Sequence, residues 1–478
     1  MNPNTTKRLV FSLATGGLLL TGLFLLLNGA PPIARADPGD LFVTPGGGGD
    51  CSQSNPCDLQ TALGAATDGD TIYLGAGTYV GSGGAVVTVT HSITLTGGWD
   101  GTATTPVVRD PGAYPTTLDG EGSRRVVHIN GDIAPTIDGF IITGGEAEDG
   151  GGIYIYRASP TIQNNVITAN RTIDGGAYTD GRGGGIYVGG SSAAIIAQNR
   201  ILSNTSGYGG GIYHKSSIAV AITITSNEIV GNIVSGGGGG IILEKSPNVI
   251  QNNVISGNSA DGDGGGIFLW NAAPQIEANR IVNNSAFAGG GIWMGNNSTP
   301  SLMNNLLIRN TRDGLFVGDS SPMAVNNTIV GSGLPNIRYG IALWSNSGCS
   351  SSCTTGEYVN NIVASYEVGI YGTGSITPVI DYDDVWGNTT ADYALPAGVV
   401  TGTHNISLDP LFANPAAGNY HLQADSPCVD AGDPAGVPPA PSTDVDGDSR
   451  PFGDGVDIGA DELRLWYNYL PVVVRDYT

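Results

Sequence analysis

The stretch GGGIILEKSPNVIQNNVISGNSADGDGGGIFLW, residues 238–270, contains one copy of a repeat and the start of the next. It opens on Gly-Gly-Gly-Ile, passes through Pro-Asn-Val and Asn-Val-Ile-Ser-Gly-Asn, and returns to Gly-Gly-Gly-Ile. Apolar and polar residues alternate within short segments, and Gly, Pro and Asn separate these segments. This pattern predicts short β-strands joined by tight turns, because no segment is long enough for a helix.

The same elements recur along the chain at intervals of 23 to 33 residues. Gly-Gly-Gly-Ile begins at residues 150, 183, 209, 238, 264 and 289, and degenerate copies contain Gly314, Gly340 and Gly369. An Asn-x-Ile/Leu-x-x-Asn element begins at Asn165, Asn199, Asn227, Asn253, Asn279 and Asn305. Three strands per repeat of this length predict an all-β fold, a right-handed parallel β-helix of about eleven coils.

Strand periodicity assigns the side chains to two faces. The Ile of each Gly element and the residue two positions later are expected to point inward, since strand side chains alternate. The repeated Asn residues are expected to stack as hydrogen-bonded ladders inside the turns. Glycines before the strand are expected where a β-carbon would clash.

An aromatic column is expected on the outer face of one sheet. Its members are Tyr154, Tyr187, Tyr213, Phe268, Trp293 and Phe316, with Trp270 and Trp344 two positions further along their strands. Contiguous exposed rings often mark binding surfaces, and the low surface charge suits a neutral glycan. The alternative is a ring ladder that only stabilises the sheet or lies beneath a loop.

The N-terminus predicts export. Lys7 and Arg8 precede an apolar run from Leu9 to Leu27, and Ala34-Arg35-Ala36 has the small-residue pattern of a cleavage site. Residues 1–36 are therefore interpreted as a signal peptide, with an uncleaved membrane anchor as the alternative. Their removal takes away three basic and no acidic residues, so the net charge changes from −23 to −26.

The net charge limits the possible partners, and the sequence divides into four segments after the signal peptide. So acidic a chain disfavours nucleic acid and anionic membranes as partners. No second membrane span is expected. The protein is predicted to be a monomer. Residues 37–68 are assigned to an N-terminal cap with a short helix capped by Asp58, and residues 69–390 to the β-helix. Residues 391–462 are assigned to an acidic C-terminal cap, and residues 463–478 to a tail.

Export makes disulfides plausible for the cysteines that lie close in sequence. The predicted pairs are Cys51–Cys57 and Cys349–Cys353, and Cys428 is left over. A zinc site is disfavoured because no histidine lies near either pair.

Carboxylates occur in three places that could support chemistry. The edge where loop length varies carries Glu148, Asp149, Asp180, Asp261, Asp263 and Asp313. They could hydrolyse glycosidic bonds, hold calcium or form a solvated rim. Asp381, Asp383 and Asp384 are candidate catalytic carboxylates, although no base can be assigned to them. Two pairs on adjacent coils, Lys215 with Glu244 and Arg200 with Glu228, are expected to be surface ion pairs.

The third place is the acidic C-terminal region. Asp444, Asp446 and Asp448 have the spacing of the first ligands of a calcium loop, so calcium is the cofactor that this sequence could bind. The positions that should hold Gly and Glu in such a loop are Ser449 and Gly455, so this is not an EF-hand. The alternative is a folded cap in which Arg450 pairs with a nearby carboxylate.

These features resemble the pectin-lyase-like right-handed β-helix superfamily. The Gly-Gly-x-Ile and Ile/Leu-x-x-Asn elements are similar to the repeats of polymorphic outer-membrane proteins. The tail resembles the choice-of-anchor Q region of bacterial surface proteins, through Asp409–Phe412, Asp425–Pro427, Asp430–Gly432, Asp446–Pro451 and Asp457–Gly459. The resemblance implies export and surface association. It leaves activity open, because the superfamily includes lyases, hydrolases, adhesins and passive surface proteins.

Three functions therefore stay open. The leading prediction is a secreted or cell-surface protein that binds carbohydrate or another partner through its aromatic face without catalysis. The second is a polysaccharide lyase or glycoside hydrolase at the acidic edge; the carboxylate motif of the resembling polygalacturonases is missing. The third is a passive structural or adhesive surface component.

Overall fold

The computed structural model describes residues 39–173, 181–216, 220–333, 337–345, 354–433 and 442–464. The predicted signal peptide, Asp180, the Cys349–Cys353 pair and most of the tail lie outside these ranges. Within them, no helix has the length and apolar character needed to cross a membrane.

The described chain winds into a solenoid of parallel strands with about twelve turns. The sequence repeat predicts about eleven, because the first turns lack the Gly-Gly-Gly-Ile element. Three sheets run along the solenoid, and each strand pairs with the equivalent strands of the turns before and after it.

The first sheet also receives an antiparallel hairpin, Gly48–Ser52 with Asn55–Cys57. Its parallel strands are Asp40–Val43, Thr71–Gly75, Thr94–Trp99, Thr136–Asp138, Thr161–Gln163, Ile195–Ala197, Thr223–Thr225, Val249–Gln251, Gln275–Glu277, Ser301–Met303, Met323–Val325, Glu357–Val359 and Val379–Asp381. Asp40–Val43 already pairs with Thr71–Gly75, so the first sheet starts inside the segment assigned to the N-terminal cap.

The second and third sheets share the long strand Thr116–Asn130. The other strands of the second sheet are Gly77–Val80, Ile141–Ala147, Val166–Thr168, Arg200–Leu202, Glu228–Val230, Val254–Ser256, Arg280–Val282, Leu306–Ile308, Thr328–Val330, Ile362–Ala364 and Asp384–Trp386. Beside it lie Arg171–Thr172, Thr205–Ser206, Ile233–Val234 and Ser259–Ala260. The other strands of the third sheet are Ala85–Val89, Ile153–Tyr156, Ile186–Gly190, Ile212–Ser216, Ile241–Glu244, Ile267–Trp270, Ile292–Gly295, Arg312–Gly318, Ile337–Trp344, Val368–Thr373 and Ala391–Ala394.

The interior contains the predicted columns of Ile, Leu and Val. Ile267 and Leu269, for example, are fully buried and pair with Ile292 and Met294 of the next turn. The glycines act as predicted: a β-carbon on Gly266 would lie 2.6 Å from the carbonyl oxygen of Gly291. Neighbouring turns approach too closely at this corner for any side chain.

The predicted asparagine ladder is confirmed. Each amide oxygen accepts from the backbone N–H and the amide of the preceding rung, as Asn253 Oδ1 does from Asn227 at 2.9 and 3.0 Å. The rungs are Asn165, Asn199, Asn227, Asn253, Asn279, Asn305, Asn327, Asn361, Asp383 and Asn405. A second ladder runs from Asn170 to Asn310. Both ladders hold the turns in register by satisfying buried backbone groups.

The helix Leu59–Ala65 begins where predicted. The Asp58 side chain accepts hydrogen bonds from the backbone N–H groups of Gln60 and Thr61 at the helix start. Leu59 and Ala62 are buried against the solenoid core, and the predicted disulfide joins Cys51 and Cys57.

The C-terminal region lies along the side of the solenoid, although the sequence predicted a cap. A hairpin of Phe412–Asn414 and Asn419–Leu422 encloses the 3-10 helix Pro415–Ala417. Tyr420 and Ala460 pack on Leu306, Ile308 and Val330 of the second sheet. Leu422, Cys428 and Ile458 pack on Ile362 and Ala364. These outward positions are apolar here, whereas earlier turns carry residues such as Arg200 and Glu228 there.

Candidate functional site

The aromatic column forms two stacked groups on the outer face of the third sheet. In the front group, Tyr154, Tyr187 and Tyr213 stack with ring centroids 5.1 and 5.7 Å apart. In the rear group, Phe268, Trp293 and Phe316 stack at 4.4 and 6.1 Å. The ring planes lie within 7° of parallel, so most ring faces are occupied by neighbouring rings.

The front group is largely covered. Tyr213 is only 2% exposed and Tyr187 only 8%, whereas the sequence predicted exposed rings at both positions. The Arg182 guanidinium lies 5.6 Å from the Tyr213 ring centroid, and the Tyr213 hydroxyl donates to Glu244 Oε1 at 2.6 Å. Burial raises the pKa of Tyr187 to about 12. Long charged side chains of neighbouring turns therefore close this part of the column to a ligand.

An open cleft of about 630 Å³ is lined by Trp293 and Phe316 of the rear group and by Trp270 and Trp344. Trp270 is 41% exposed and Trp344 is 45% exposed, and both occupy the same position in their strands. Two turns lie between them, and there this position is taken by Gly295 and Gly318, which pair with Trp270 and Trp344 respectively. Since successive turns are about 4.8 Å apart, the tryptophans stand about 14 Å apart along the solenoid.

The glycines create the space between the tryptophans. A β-carbon on Gly295 would lie 2.4 Å from the Trp293 ring, so that ring leans across the glycine. A β-carbon on Gly318 would meet the Phe316 ring at 3.3 Å and otherwise face the cleft. The cleft therefore has an aromatic side formed by Phe316 and by Trp293, which covers Gly295, an open position at Gly318, and a tryptophan at each end.

Charged side chains complete the opposite side of the cleft. Asp263, Asp313, Asp319, Arg312 and Arg338 line it together with Tyr339 and Phe287. The Arg312 guanidinium lies 5.1 Å from the Phe287 ring centroid. Burial raises the pKa of Asp313 to about 6, and burial also raises the pKa of Asp263. The arrangement combines apolar rings with hydrogen-bond donors and acceptors, the composition that suits a sugar.

Comparison with known proteins supports the architecture. A family model described as a right-handed beta helix region matches residues 123–277 and, in an overlapping match, residues 184–355. The protein is a right-handed parallel β-helix. No curated protein matches the chain.

Solved structures similar to this β-helix include carbohydrate-related proteins. Pectate lyase Pel9A has 14% identity and a TM-score of 0.47, covering 90% of this chain and 98% of its own. XylC in complex with xylose has 11% identity and a TM-score of 0.41, covering 88% and 98%. A PL6 family polysaccharide lyase from Pseudopedobacter saltans has 12% identity and a TM-score of 0.41, covering 81% and 97%. At such identities the likeness concerns the fold alone.

Sequence reasoning missed Arg312, Arg338, Tyr339 and Phe287. The first three stand where the Gly-Gly-Gly-Ile element becomes degenerate: Arg312-Asp313-Gly314-Leu315 and Arg338-Tyr339-Gly340-Ile341 replace the glycine runs of earlier turns. Structural glycines are exchanged there for side chains that line the cleft. The loss of the repeat in two consecutive turns of the β-helix was the available signal.

The candidate catalytic residues Asp381, Asp383 and Asp384 have separate environments. Asp381 Oδ2 lies 3.0 Å from His404 Nδ1 at the surface. Asp383 is fully buried in the asparagine ladder, and this burial holds its pKa well above the usual range. Asp384 lies beneath the C-terminal region, where Cys428 Sγ donates to its Oδ2 at 3.3 Å, and burial raises its pKa to about 7. The β-helix does not bring these carboxyls to one cleft.

The acidic C-terminal region differs from a calcium loop. Asp444 accepts from the backbone N–H groups of Asp446, Asp448 and Glu462 at 2.8 to 3.0 Å. Asp448 pairs with Arg464 at 3.0 Å. Its carboxylates are therefore engaged by the protein itself.

Arg450 has the structural role considered as the alternative. It is buried, pairs with Glu462 at 3.3 Å, and donates to the carbonyl oxygens of Asp457 and Gly459. Arg450 thereby connects Glu462 with the backbone of Asp457 and Gly459 inside this region.

Asp446 belongs to a different group of possible metal ligands. His421 Nε2 lies 3.4 Å from Asp446 Oδ2, and His421 Nδ1 lies 3.2 Å from Asp461 Oδ1. Their ligand atoms lie within 4.8 Å of one another, and imidazole with two carboxylates is a donor set that divalent cations accept. The two ring nitrogens contact different carboxylates, so the same geometry also serves a bridging ion pair.

The remaining edge carboxylates are spread along the β-helix. Asp149 Oδ1 accepts from the backbone of Arg182 at 3.1 Å, and Arg125 donates to the Asp149 carbonyl oxygen at 2.7 Å. Of the predicted edge acids, Asp263 and Asp313 line the cleft. The predicted ion pairs are confirmed: Lys215 with Glu244 at 2.7 Å and Arg200 with Glu228 at 2.9 Å.

Proposed function

We propose that this protein is a secreted or cell-surface β-helix that binds carbohydrate in the cleft between Trp270 and Trp344. The observation that carries the proposal is the pair of exposed tryptophans separated by Gly295 and Gly318. Most ring faces of the aromatic column are stacked on one another. The sugar contacts are therefore assigned to Trp270 and Trp344 at the two ends and to the ring edges of Trp293 and Phe316. The predicted set of ligand-binding rings is thereby narrowed to Trp270, Trp293 and Phe316, and Trp344 is added to it.

The polar side of the cleft supports the same function. Arg312 and Arg338 supply donors, while Asp263 and Asp319 supply carboxylate oxygens. A sugar needs both kinds of group around a largely apolar contact surface. The front tyrosines are left out of the proposal, because Tyr187 and Tyr213 are buried.

The test measures binding of four hexasaccharides to the purified protein by titration calorimetry: cellohexaose, xylohexaose, mannohexaose and hexagalacturonate. Trp270→Ala and Trp344→Ala are each expected to weaken binding about tenfold, since loss of a sugar-facing ring removes roughly 1–1.5 kcal/mol. Gly318→Leu is expected to abolish binding although every aromatic side chain is retained, because the new side chain occupies the cleft.

The matched control is Tyr156→Ala. Tyr156 is 38% exposed and occupies the position of Trp270 on an earlier turn, outside the cleft. Equal losses in Tyr156→Ala and Trp270→Ala would show that the cleft is not the site. Absence of binding to all four glycans would favour the passive surface component.

A second candidate function is cleavage of the bound glycan, as a glycoside hydrolase or polysaccharide lyase. The observation in its favour is that Asp263 and Asp313 stand inside the cleft, where burial raises the pKa of Asp313 to about 6. Carboxyls with raised pKa values are suited to proton transfer. Size-exclusion chromatography of protein–glycan mixtures with carbohydrate detection separates the two functions: co-elution of intact glycan supports binding, and smaller fragments support cleavage.

A further inference from the structure

Asp313 enters the cleft at an irregularity of the third sheet. The register with the next strand shifts between Arg312 and Asp313, and Arg312 has a φ of 63°. A β-bulge of this kind re-aims side chains and occurs often beside functional sites. Here it directs a carboxyl into a position where Gly290, on the preceding turn, has no side chain.

The carboxyl is buried and only partly satisfied. Asp313 is 4% exposed, and its Oδ2 accepts the backbone N–H of Gly289 at 3.0 Å. Within the described residues, no other hydrogen bond or ion pair to its side chain is found, although the residue lines the cleft. One oxygen is therefore held by the protein, and the other is available to a ligand.

The surroundings do not fully compensate a negative charge on Asp313. Burial raises the pKa to about 6, although the Gly289 N–H and the charges of Arg312 and Arg338 act in the opposite direction. The titratable and charged groups that face it are Asp263, Arg312, Arg338, Tyr339 and Tyr366. Burial raises the pKa of both tyrosines, so they stay neutral between pH 4.5 and 8.

We propose that glycan binding in this cleft takes up a proton on Asp313, so that the neutral carboxyl donates a hydrogen bond to a sugar oxygen. This proposal rests on the proposed function, and it makes the affinity for the glycan depend on pH. A bound sugar displaces the water that still reaches the cleft, and this further desolvation favours the neutral carboxyl. By linkage, affinity is constant below the pKa of the free protein and falls as pH rises above it.

The expected effect follows from the direction of this shift. Hexasaccharide affinity stays level between pH 4.5 and 5.5, and then decreases by up to about tenfold per pH unit above pH 6. Calorimetry at pH 7 in two buffers of different ionisation enthalpy is expected to show net proton uptake on binding. Asp313→Asn, a neutral donor of the same shape, is expected to bind with the affinity of the wild type at pH 5 and to lose the pH dependence.

Asp263→Asn is the matched control. It removes the other cleft carboxyl and keeps Asp313, so the pH dependence is expected to remain, with its midpoint moved to lower pH. A carboxyl infrared band that disappears in Asp313→Asn and titrates near pH 6 in the free wild type would support the assignment independently.

The outcomes separate the inference from the function on which it rests. Binding that is equally strong from pH 4.5 to 8, or a pH dependence unchanged in Asp313→Asn, overturns the proton uptake and leaves the binding function intact. No binding of any hexasaccharide at any pH overturns both.

Discussion

Asp383 is a carboxyl in the main asparagine ladder, where the fold calls for an amide. Every other rung of the main ladder is an amide, and each preceding rung uses its NH₂ group to donate to backbone carbonyls, as Asn361 does to Ala324 and Val359. Asp383 Oδ2 has no hydrogen-bond partner in the described structure. Burial without a partner for this oxygen keeps the pKa of Asp383 well above its usual range.

Asp383→Asn is expected to stabilise the fold by about 1–3 kcal/mol at neutral pH, since it restores a buried donor. The pKa of Asp383 is higher in the folded protein than the usual value of about 3.9 in an unfolded chain. The unfolded chain therefore releases this proton first as pH rises, and the wild type loses stability above about pH 4. Urea unfolding of both forms at pH 3.5 and 7 measures the difference, which should nearly vanish at the lower pH.

Asp381→Asn provides the comparison for this experiment. Asp381 lies two residues earlier at the surface, and its loss should change stability by less than about 1 kcal/mol. A destabilised Asp383→Asn would show that the carboxyl contributes something other than a rung of the ladder.

In the asparagine ladder, every turn needs a side chain that can both donate and accept hydrogen bonds. The Asn253 amide oxygen accepts two hydrogen bonds from Asn227, and its NH₂ group donates to Ile224, Gln251 and Asn279, with one hydrogen shared between two acceptors. Removal of one rung leaves backbone groups of the adjacent turns buried without partners. The residues before the rungs, such as Asn252 with φ of 57°, adopt the left-handed conformation that turns the chain.

Asn253→Leu is expected to lower the free energy of unfolding by about 2–5 kcal/mol, because at least two buried polar groups lose their partners. The control is Asn252→Gly, which removes the neighbouring exposed amide and suits the left-handed backbone. It should change stability by no more than about 1 kcal/mol. Thermal unfolding of both variants measures the contrast, and similar values would mean that the ladder contributes little.

Sequence alone predicted these elements because their periodicity is local. The inward position of His214 followed from strand alternation, and the residue is fully buried, with its pKa lowered to about 4 by that burial. The cover over Tyr187 and Tyr213 could not be predicted, since it depends on the reach of Arg182 and Glu244 from adjacent turns. The cleft likewise depends on the register that aligns two glycines between two tryptophans.

At the scale of the whole molecule, the C-terminal region is a second layer over the solenoid. Arg309 donates to the carbonyl oxygen of Pro415, and Asn304 donates to that of Thr443, which ties this layer to turns far away in sequence. The sequence marked the region as acidic and non-repetitive. It could not show where the region packs, because the apolar outward residues that receive it are scattered over five turns.

Leu306→Asp is expected to destabilise the protein by about 2 kcal/mol or more and to release the C-terminal region, since a charge would be buried beneath Tyr420 and Ala460. Val254→Asp is the control at the equivalent outward position two turns earlier, where Val254 is exposed. Limited proteolysis followed by mass spectrometry detects the release. Equal resistance of Leu306→Asp and Val254→Asp would contradict the second layer.

The spacing of the two cleft tryptophans has an evolutionary consequence. Because each sits on its own turn of a repeating solenoid, the length of the cleft changes only in whole steps of about 4.8 Å. Duplication or loss of one glycine-bearing turn between them lengthens or shortens the recess by one such step while its ends keep their chemistry. Related chains can thus resize this recess by gene-level addition of repeats, without redesigning any side chain inside it.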